Sequence, residues 1–93
     1  MLKELDPLLH SQLRLGVMSL LMGAESAEFT FLKEKTNATA GNLSVQLDKL
    51  SEAGYITIEK TFRGKKPLTR CRITRKGIKA FEEYVQALKG YIK

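Results

Sequence analysis

The sequence predicts an α+β fold that is mostly α, with seven elements in the order α-β-α-α-β-β-α. Apolar residues recur at helical spacing in three stretches, and two later stretches alternate with a period of two around a turn that contains Gly and Pro. The chain has 93 residues, of which 43% are hydrophobic. This content can form a core, and the length predicts one domain over residues 1–93.

The first helix has two candidate starts. Asp6 suits an N-cap and Pro7 suits the first helical position, whereas Ser11 is a competing N-cap that would start the helix a few residues later. Gly23 is a suitable stop. The apolar positions with helical spacing are Leu9, Leu13, Val17, Leu20 and Leu21.

A helix-turn-helix is predicted next. Residues 27–31, "AEFTF", suggest a brief strand that enters a second helix, "FLKEKTN", which ends at Asn37. Thr39 is an N-cap for a third helix over about residues 40–53, and Gly54 ends it. Only "TNAT" joins the two helices, which is typical of this motif. The inward face of the third helix consists of Leu43, Leu47 and Leu50.

A hairpin and a last helix follow. Residues 55–62, "YITIEKTF", are β-branched and aromatic, residues 63–67, "RGKKP", predict a turn, and residues 68–73, "LTRCRI", alternate again. Thr74 can cap a helix that extends to Lys93. The predicted apolar stripe of this helix is Ile78, Phe81, Val85, Leu88 and Ile92. A helix-turn-helix followed by a two-stranded ribbon is a winged helix-turn-helix.

Several motifs occur in a characteristic order. "LRLGVMSLL" (13–21) and residues 36–81, above all "LSVQLDKLSEAGYI" leading into "ITRKG", combine a leucine-rich helix, a glycine before a strand, a basic hairpin and a threonine-capped helix. This set resembles the small winged-helix transcriptional regulators of the MarR and ArsR-like groups, over about residues 8–90.

The resemblance implies a homodimer on a pseudo-palindromic operator. The third helix would enter the major groove of double-stranded DNA, and the wing, about residues 62–68, would touch the backbone or the minor groove. The chain lacks the long extra helices with which many MarR proteins dimerise and form ligand pockets, and it lacks the cysteine-rich motif of metal-sensing ArsR proteins. Whether a small-molecule effector is sensed therefore stays open.

The charge pattern favours an acidic partner. Lys and Arg number 16 against 10 Asp and Glu, for a net charge of +6. Nucleic acid, an anionic membrane and an acidic protein all fit this balance. In the basic segment, Arg63, Lys65 and Lys66 lie at the predicted turn and are the strongest candidates for DNA contact. Arg70 and Arg72 share a strand face, along which their stems can pack instead.

The third helix supplies candidates for base contact. Asn and Gln can pair with adenine, Val can touch the thymine methyl, and small residues at the helix start let a phosphate approach the backbone N–H groups. The candidate residues are Thr39, Asn42, Ser44, Val45, Gln46 and Lys49. An ordinary solvated helix face is the alternative for these types. A winged-helix module that binds an acidic protein also stays open, although polar, uncharged residues favour base reading.

No catalytic, metal or cofactor site is predicted, so we expect a protein that is not an enzyme. His10 is the only histidine and Cys71 the only cysteine, and neither has partners at ligand spacing. Cys71 suits a buried structural thiol better than a redox sensor. The N-terminus does not resemble a signal peptide, and "LGVMSLLMGA" is too short to span a bilayer. These features predict a cytoplasmic protein.

The first and last helices carry more apolar residues than a small winged core requires. Candidates for a two-fold interface are Leu2, Leu5, Leu8, Leu9, Val85, Leu88, Tyr91 and Ile92. The alternative is that these residues pack on each other within one subunit. A dimer is favoured because operator symmetry mirrors protein symmetry.

Overall fold

The computed structural model describes residues 2–92 and confirms the predicted fold class and element order. The elements are α1 (Gln12–Met22), β1 (Ala27–Glu28), α2 (Phe29–Thr36), α3 (Ala40–Glu52), β2 (Ile56–Arg63), β3 (Lys66–Ile73) and α4 (Arg75–Lys89). The last helix therefore ends before Ile92, and Lys93, to which it was predicted to extend, lies outside the described residues.

The three strands form one antiparallel sheet in the order β1-β3-β2. Strands β2 and β3 pair along their full lengths, from Ile56 opposite Ile73 to Arg63 opposite Lys66. The predicted turn over residues 63–67 is thus too long, because only Gly64 and Lys65 lie outside the ladder. Gly64 has a φ of 64°, the left-handed conformation that a two-residue hairpin loop requires. The hairpin contributes to an elongated shape of 54 × 25 × 21 Å.

Helix α1 begins at Gln12, so the Asp6–Pro7 start is wrong and the competing Ser11 start is confirmed. The Ser11 side chain accepts a hydrogen bond from the backbone N–H of Arg14, and Ser11 itself is extended. Asp6 instead caps a single separate turn, because its carboxylate accepts the N–H of Leu8 at 2.9 Å. Leu9, at the end of this turn, is fully buried in the core.

The hydroxyl of Tyr55 donates to the second carboxylate oxygen of Asp6. This bond ties the N-terminal turn to the residue that precedes β2. Burial of the phenol, followed by the hydrogen bond to Asp6 and its negative charge, raises the pKa of Tyr55 to about 12. The hydroxyl is therefore a constant donor at neutral pH.

One core joins the helices to the inner face of the sheet. Its fully buried side chains are Leu9, Val17, Met18, Leu21, Leu32, Leu43, Leu47, Leu50, Ile56 and Cys71. The predicted inward face of α3 is confirmed, since its three leucines are all in this set. Burying a leucine side chain contributes roughly 1.5–3 kcal/mol, so this face holds α3 firmly against the core.

Helix α4 buries the predicted face only in part. Its buried residues are Gly77, Tyr84 and Ala87, whereas Phe81, Val85 and Leu88 are only half-buried and Ile92 is 67% exposed. Phe81 and Leu88 still pack against the core, at the edge of the face that Gly77 and Tyr84 occupy. Within residues 2–92, no helix is long and apolar enough to cross a bilayer.

The ends of α3, β2 and α4 meet at one junction, formed by Gly54, Tyr55, Thr74 and Gly77. The Thr74 hydroxyl donates to the Gly54 carbonyl at 2.6 Å, and the Thr74 N–H donates to the Tyr55 carbonyl at 3.0 Å. Gly54 has a φ of 80°, which ends α3 and starts the turn into β2. A Cβ on Gly77 would lie 2.1 Å from the Tyr55 carbonyl oxygen, so only glycine fits.

We predict that Gly77→Ala lowers the free energy of unfolding by about 2–3 kcal/mol. The new methyl group would meet backbone at Tyr55 and the Ile73 side chain at 2.9 Å, and neither can move without disturbing the sheet. Urea titration followed by circular dichroism measures the change.

Gly41→Ala is the matched control, because nothing lies within 4 Å of a Cβ at that exposed helical position. Its free energy of unfolding should stay the same or rise by up to about 1 kcal/mol, since alanine is the better helix former. Equal effects of the two substitutions would contradict the close contact at the junction.

Candidate nucleic-acid interface

The N-terminal half of α3 is an exposed, polar and uncharged surface. The Thr39 hydroxyl caps the helix by accepting the N–H of Asn42 at 3.2 Å. Ala40 and Gly41 are exposed, and the first turn of α3 contains no acidic residue. The start of this helix therefore has room and electrostatic potential for a phosphate group.

The predicted base-reading side chains occupy the solvent-facing side of α3 and its two flanks. Asn42, Ser44 and Lys49 are exposed, and Val45 is 51% exposed although it is apolar. Gln46 is half-buried on the flank of the helix, and its Nε2 donates to Asn42 Oδ1 at 3.0 Å. The structure thus brings the two amides of the predicted set into direct contact.

Sequence reasoning missed Arg14. This side chain reaches from α1 to α3, where its Nη1 donates to Gln46 Oε1. Its Nε donates to the Leu8 carbonyl at 2.6 Å, in the turn that Asp6 caps. Arg14 is the one charged residue of α1, in a stretch that is otherwise mostly apolar. That isolated charge is the signal from which a specific role could have been inferred.

The wing carries the second group of predicted residues. Arg63, Lys65 and Lys66 are all exposed around the two-residue turn. Arg63 Nη2 lies 2.7 Å from Glu28 Oε2, an ion pair between wing and β1 that solvent screens. Within the part of the chain that the structure describes, Lys65 and Lys66 form no ion pair, so both charges are available to an external partner.

The two arginines of β3 differ in whether an acidic neighbour already lies beside them. Arg70 Nε lies 3.9 Å from Glu59 Oε1, its cross-strand partner, whereas Arg72 is exposed opposite Thr57. Phe62, which the site prediction omitted, is 70% exposed opposite Pro67. An exposed aromatic ring among lysines makes the wing tip both apolar and basic.

The side chains of His10 and Cys71 both have surroundings within the fold that suit a structural role. His10 Nδ1 lies 3.1 Å from the hydroxyl of Tyr84. Cys71 is buried, as predicted, and burial raises the pKa of its thiol to about 11. Among residues 2–92, no three His, Cys, Asp or Glu side chains come together as a metal site.

Comparison with known proteins identifies the family. Residues 13–92 match the family model described as winged helix DNA-binding domain, and the chain belongs to this family. The uncharacterized protein MJ0432 of Methanocaldococcus jannaschii is 41% identical over 76 residues, which cover 82% of this chain and 83% of that protein.

Solved structures agree with this assignment. A transcriptional regulator homologue from Pyrococcus horikoshii OT3 has a TM-score of 0.84 at 27% identity, covering 91% of this chain and 84% of that protein. A MarR-family transcriptional regulator from Silicibacter pomeroyi has a TM-score of 0.70 at 16% identity, over 89% and 55% of the two chains.

PadR of Bacillus subtilis, solved in complex with operator DNA, has a TM-score of 0.71 at 18% identity, over 81% of this chain and 48% of PadR. At these low identities, PadR and the Silicibacter pomeroyi protein share the fold alone. The resemblance to winged-helix transcriptional regulators is confirmed, and the family and fold are those of regulators that bind DNA.

We predict that Cys71 reacts with a disulfide reagent such as dithionitrobenzoate at least about a hundredfold more slowly in the folded protein than in denaturant at pH 7.5. The raised pKa leaves little thiolate, and the fold blocks access. Because folding raises this pKa, the associated stabilisation is complete below the pKa of the unfolded thiol. It is lost as the pH rises toward 11.

The chain has a single cysteine, so the absorbance signal has one source. Rapid labelling of the folded protein at neutral pH would contradict the buried assignment and would favour the redox-sensor alternative.

Proposed function

We propose that this protein is a sequence-specific regulator of transcription that binds double-stranded DNA as a homodimer in the cytoplasm. Helix α3 enters the major groove, and the wing, residues 62–68, lies on the backbone or in the minor groove. The observation that carries the proposal is the pairing of two surfaces. The start of α3 is exposed, polar and uncharged, and the hairpin that packs against α3 through β2 carries Lys65 and Lys66, which form no ion pair among the described residues.

The residues of α3 have separate roles in this proposal. Asn42 and Gln46 contact base edges with their amides, and the exposed Val45 contacts a thymine methyl group. Thr39 and Ser44 flank the helix start, where a phosphate approaches the backbone N–H groups. Lys49 lies one helical turn after Val45 and neutralises a phosphate.

The wing contributes affinity more than sequence preference. Lys65 and Lys66 neutralise phosphates, and Arg63 joins them when its screened ion pair with Glu28 opens. Phe62, beside them, offers an apolar surface to the sugars of the groove. Arg70 stays with Glu59 in the sheet.

The homodimer rests on the apolar residues of the chain ends and α4. Leu9 is fully buried within the subunit, so it cannot take part in a two-fold interface. Leu2, Tyr91 and Ile92 are exposed. The half-buried members of the predicted set are Leu5, Leu8, Val85 and Leu88. These two groups form the proposed interface, together with half-buried Phe81.

Selection of bound fragments from random double-stranded DNA tests the proposal directly. We expect an enriched inverted repeat, because a two-fold dimer places one α3 in each half-site. Enrichment of a single asymmetric half-site would contradict the dimer. Enrichment of no sequence would contradict specific regulation and favour a protein-binding module.

The double variant Lys65→Ala with Lys66→Ala should bind every DNA sequence more weakly without changing the selected motif. Removing four phosphate contacts from a dimer should reduce the steepness of log affinity plotted against log salt concentration, with the slope changing by about 3 to 4. Fluorescence anisotropy at several salt concentrations measures both quantities.

Lys79→Ala with Lys89→Ala is the matched control. It removes the same charge from exposed positions of α4, a helix that packs mainly against α1. Its salt dependence should stay close to that of the wild type. An equal loss in both double variants would mean that net charge, and not the wing, determines the affinity.

Gln46→Ala should change base preference at one position of each half-site, because an amide that reaches a base edge discriminates by about 1–3 kcal/mol. Repeated selection with the variant measures this change. Glu52→Ala, an exposed substitution at the far end of α3, is the control and should leave the motif unchanged. A uniform loss of affinity on all sequences in Gln46→Ala would contradict base reading by Gln46.

A further inference from the structure

A line of polar contacts leads from the N-terminal turn to the start of α3. The Leu8 carbonyl accepts from Arg14 Nε at 2.6 Å, Arg14 Nη1 donates to Gln46 Oε1, and Gln46 Nε2 donates to Asn42 Oδ1 at 3.0 Å. The line ends on the exposed amide of Asn42, at the surface that the proposed function assigns to base reading.

The chemistry of arginine determines the direction of every bond in this line. A guanidinium group has only donors and stays charged at all accessible pH values. Gln46 must therefore turn its oxygen toward Arg14, which leaves its NH₂ group facing Asn42. Asn42 must then turn its oxygen toward Gln46, so that its own NH₂ group faces outward.

The guanidinium itself is held in place. Arg14 and Gln46 are both half-buried, which limits competition from water. The Leu8 carbonyl takes the Nε–H, and the turn that contains Leu8 is capped by the Asp6 carboxylate at 2.9 Å. The second oxygen of that carboxylate accepts from Tyr55, at the base of the wing. Rotation of the guanidinium group away from this position would break its bonds to both the Leu8 carbonyl and Gln46.

We infer that Arg14 is a positioning residue that determines which hydrogen-bonding groups α3 presents to the base edges. With Arg14 in place, Asn42 presents two donor hydrogens and one remaining lone pair. This pattern favours purines, whose N7 atoms are acceptors in the major groove. Without Arg14, the side-chain amides of Asn42 and Gln46 can both rotate by half a turn, and the preference for purines weakens. The inference rests on the proposed function and specifies how its base reading is preset.

Arg14→Met tests the inference, because methionine keeps an unbranched stem and removes all donors. At the position facing Asn42, the ratio of the affinity for the preferred base to the affinity for the other bases should fall at least about fivefold. Arg14→Lys, which keeps a donor, should retain most of the preference. A merely structural role for Arg14 would lower affinity for all sequences alike and leave their ratios unchanged.

Gln46→Glu tests the same line with Arg14 present. Both carboxylate oxygens are acceptors, so Asn42 must turn its NH₂ group inward and present its oxygen outward. The preference should then move from base-edge acceptors toward donors, such as the amino group of cytosine or adenine. This variant decides the question if Arg14→Met does not fold. A motif that Gln46→Glu leaves unchanged overturns the inference.

A measurement on the free protein separates the inference from the proposed function. The side-chain NH₂ signals of Gln46 and Asn42 in nitrogen-15 NMR spectra should shift in Arg14→Met and change little in Arg14→Lys. Unshifted signals overturn the inference. If the wild-type protein selects no DNA sequence, the proposed function fails, whereas the NMR signals of the free protein still show whether Arg14 orients the two amides. If the wild type selects a motif that Arg14→Met keeps with the same base ratios, only the inference fails.

Discussion

The contact between Gly77 and the carbonyl of Tyr55 is the constraint on which the arrangement of the two candidate surfaces depends. No side chain fits there, so the first turn of α4 lies directly on the connection between α3 and β2. Thr74 adds hydrogen bonds to both Gly54 and Tyr55 at this point. Because the end of α3 and the base of the wing share these contacts, the direction of the hairpin relative to α3 is determined by covalent geometry and close packing.

Tyr55 connects this junction to a second support of α3. Its carbonyl belongs to the junction, and its hydroxyl holds the Asp6 carboxylate, which caps the turn before α1. Arg14 of α1 joins that turn to α3, because it donates both to the Leu8 carbonyl and to Gln46. Each such bond contributes only about 1 kcal/mol, but together they orient side chains that hydrophobic packing leaves free. The leucines of α3 determine where the helix lies, and these polar contacts determine how its amides face.

Local patterns predicted most of the fold because each element has its own hydrophobic period and its own start and stop residues. The N-caps Thr39 and Thr74 and the stop at Gly54 were identified correctly for this reason. The errors share a different cause. Asp6 and Pro7 form a true local start signal, but they cap a separate turn because Leu9 turns into the core. Similarly, the stripe on α4 was correct only in part, because Phe81 and Leu88 pack at the edge of the core while a buried position belongs to Gly77, whose packing role no hydrophobic period reveals.

The sequence alone determined the order of the elements, the inward face of α3, the basic hairpin and the candidate residues on both surfaces, since these follow from spacing and residue type. Only the tertiary structure decided which of those residues act together. It placed Arg63 beside Glu28, left Lys65 and Lys66 without an ion pair among the described residues, and joined Gln46 to Arg14 across 32 residues of sequence. Such pairings depend on the relative placement of elements, because hydrogen bonds and ion pairs form between neighbours in space and carry no period along the chain.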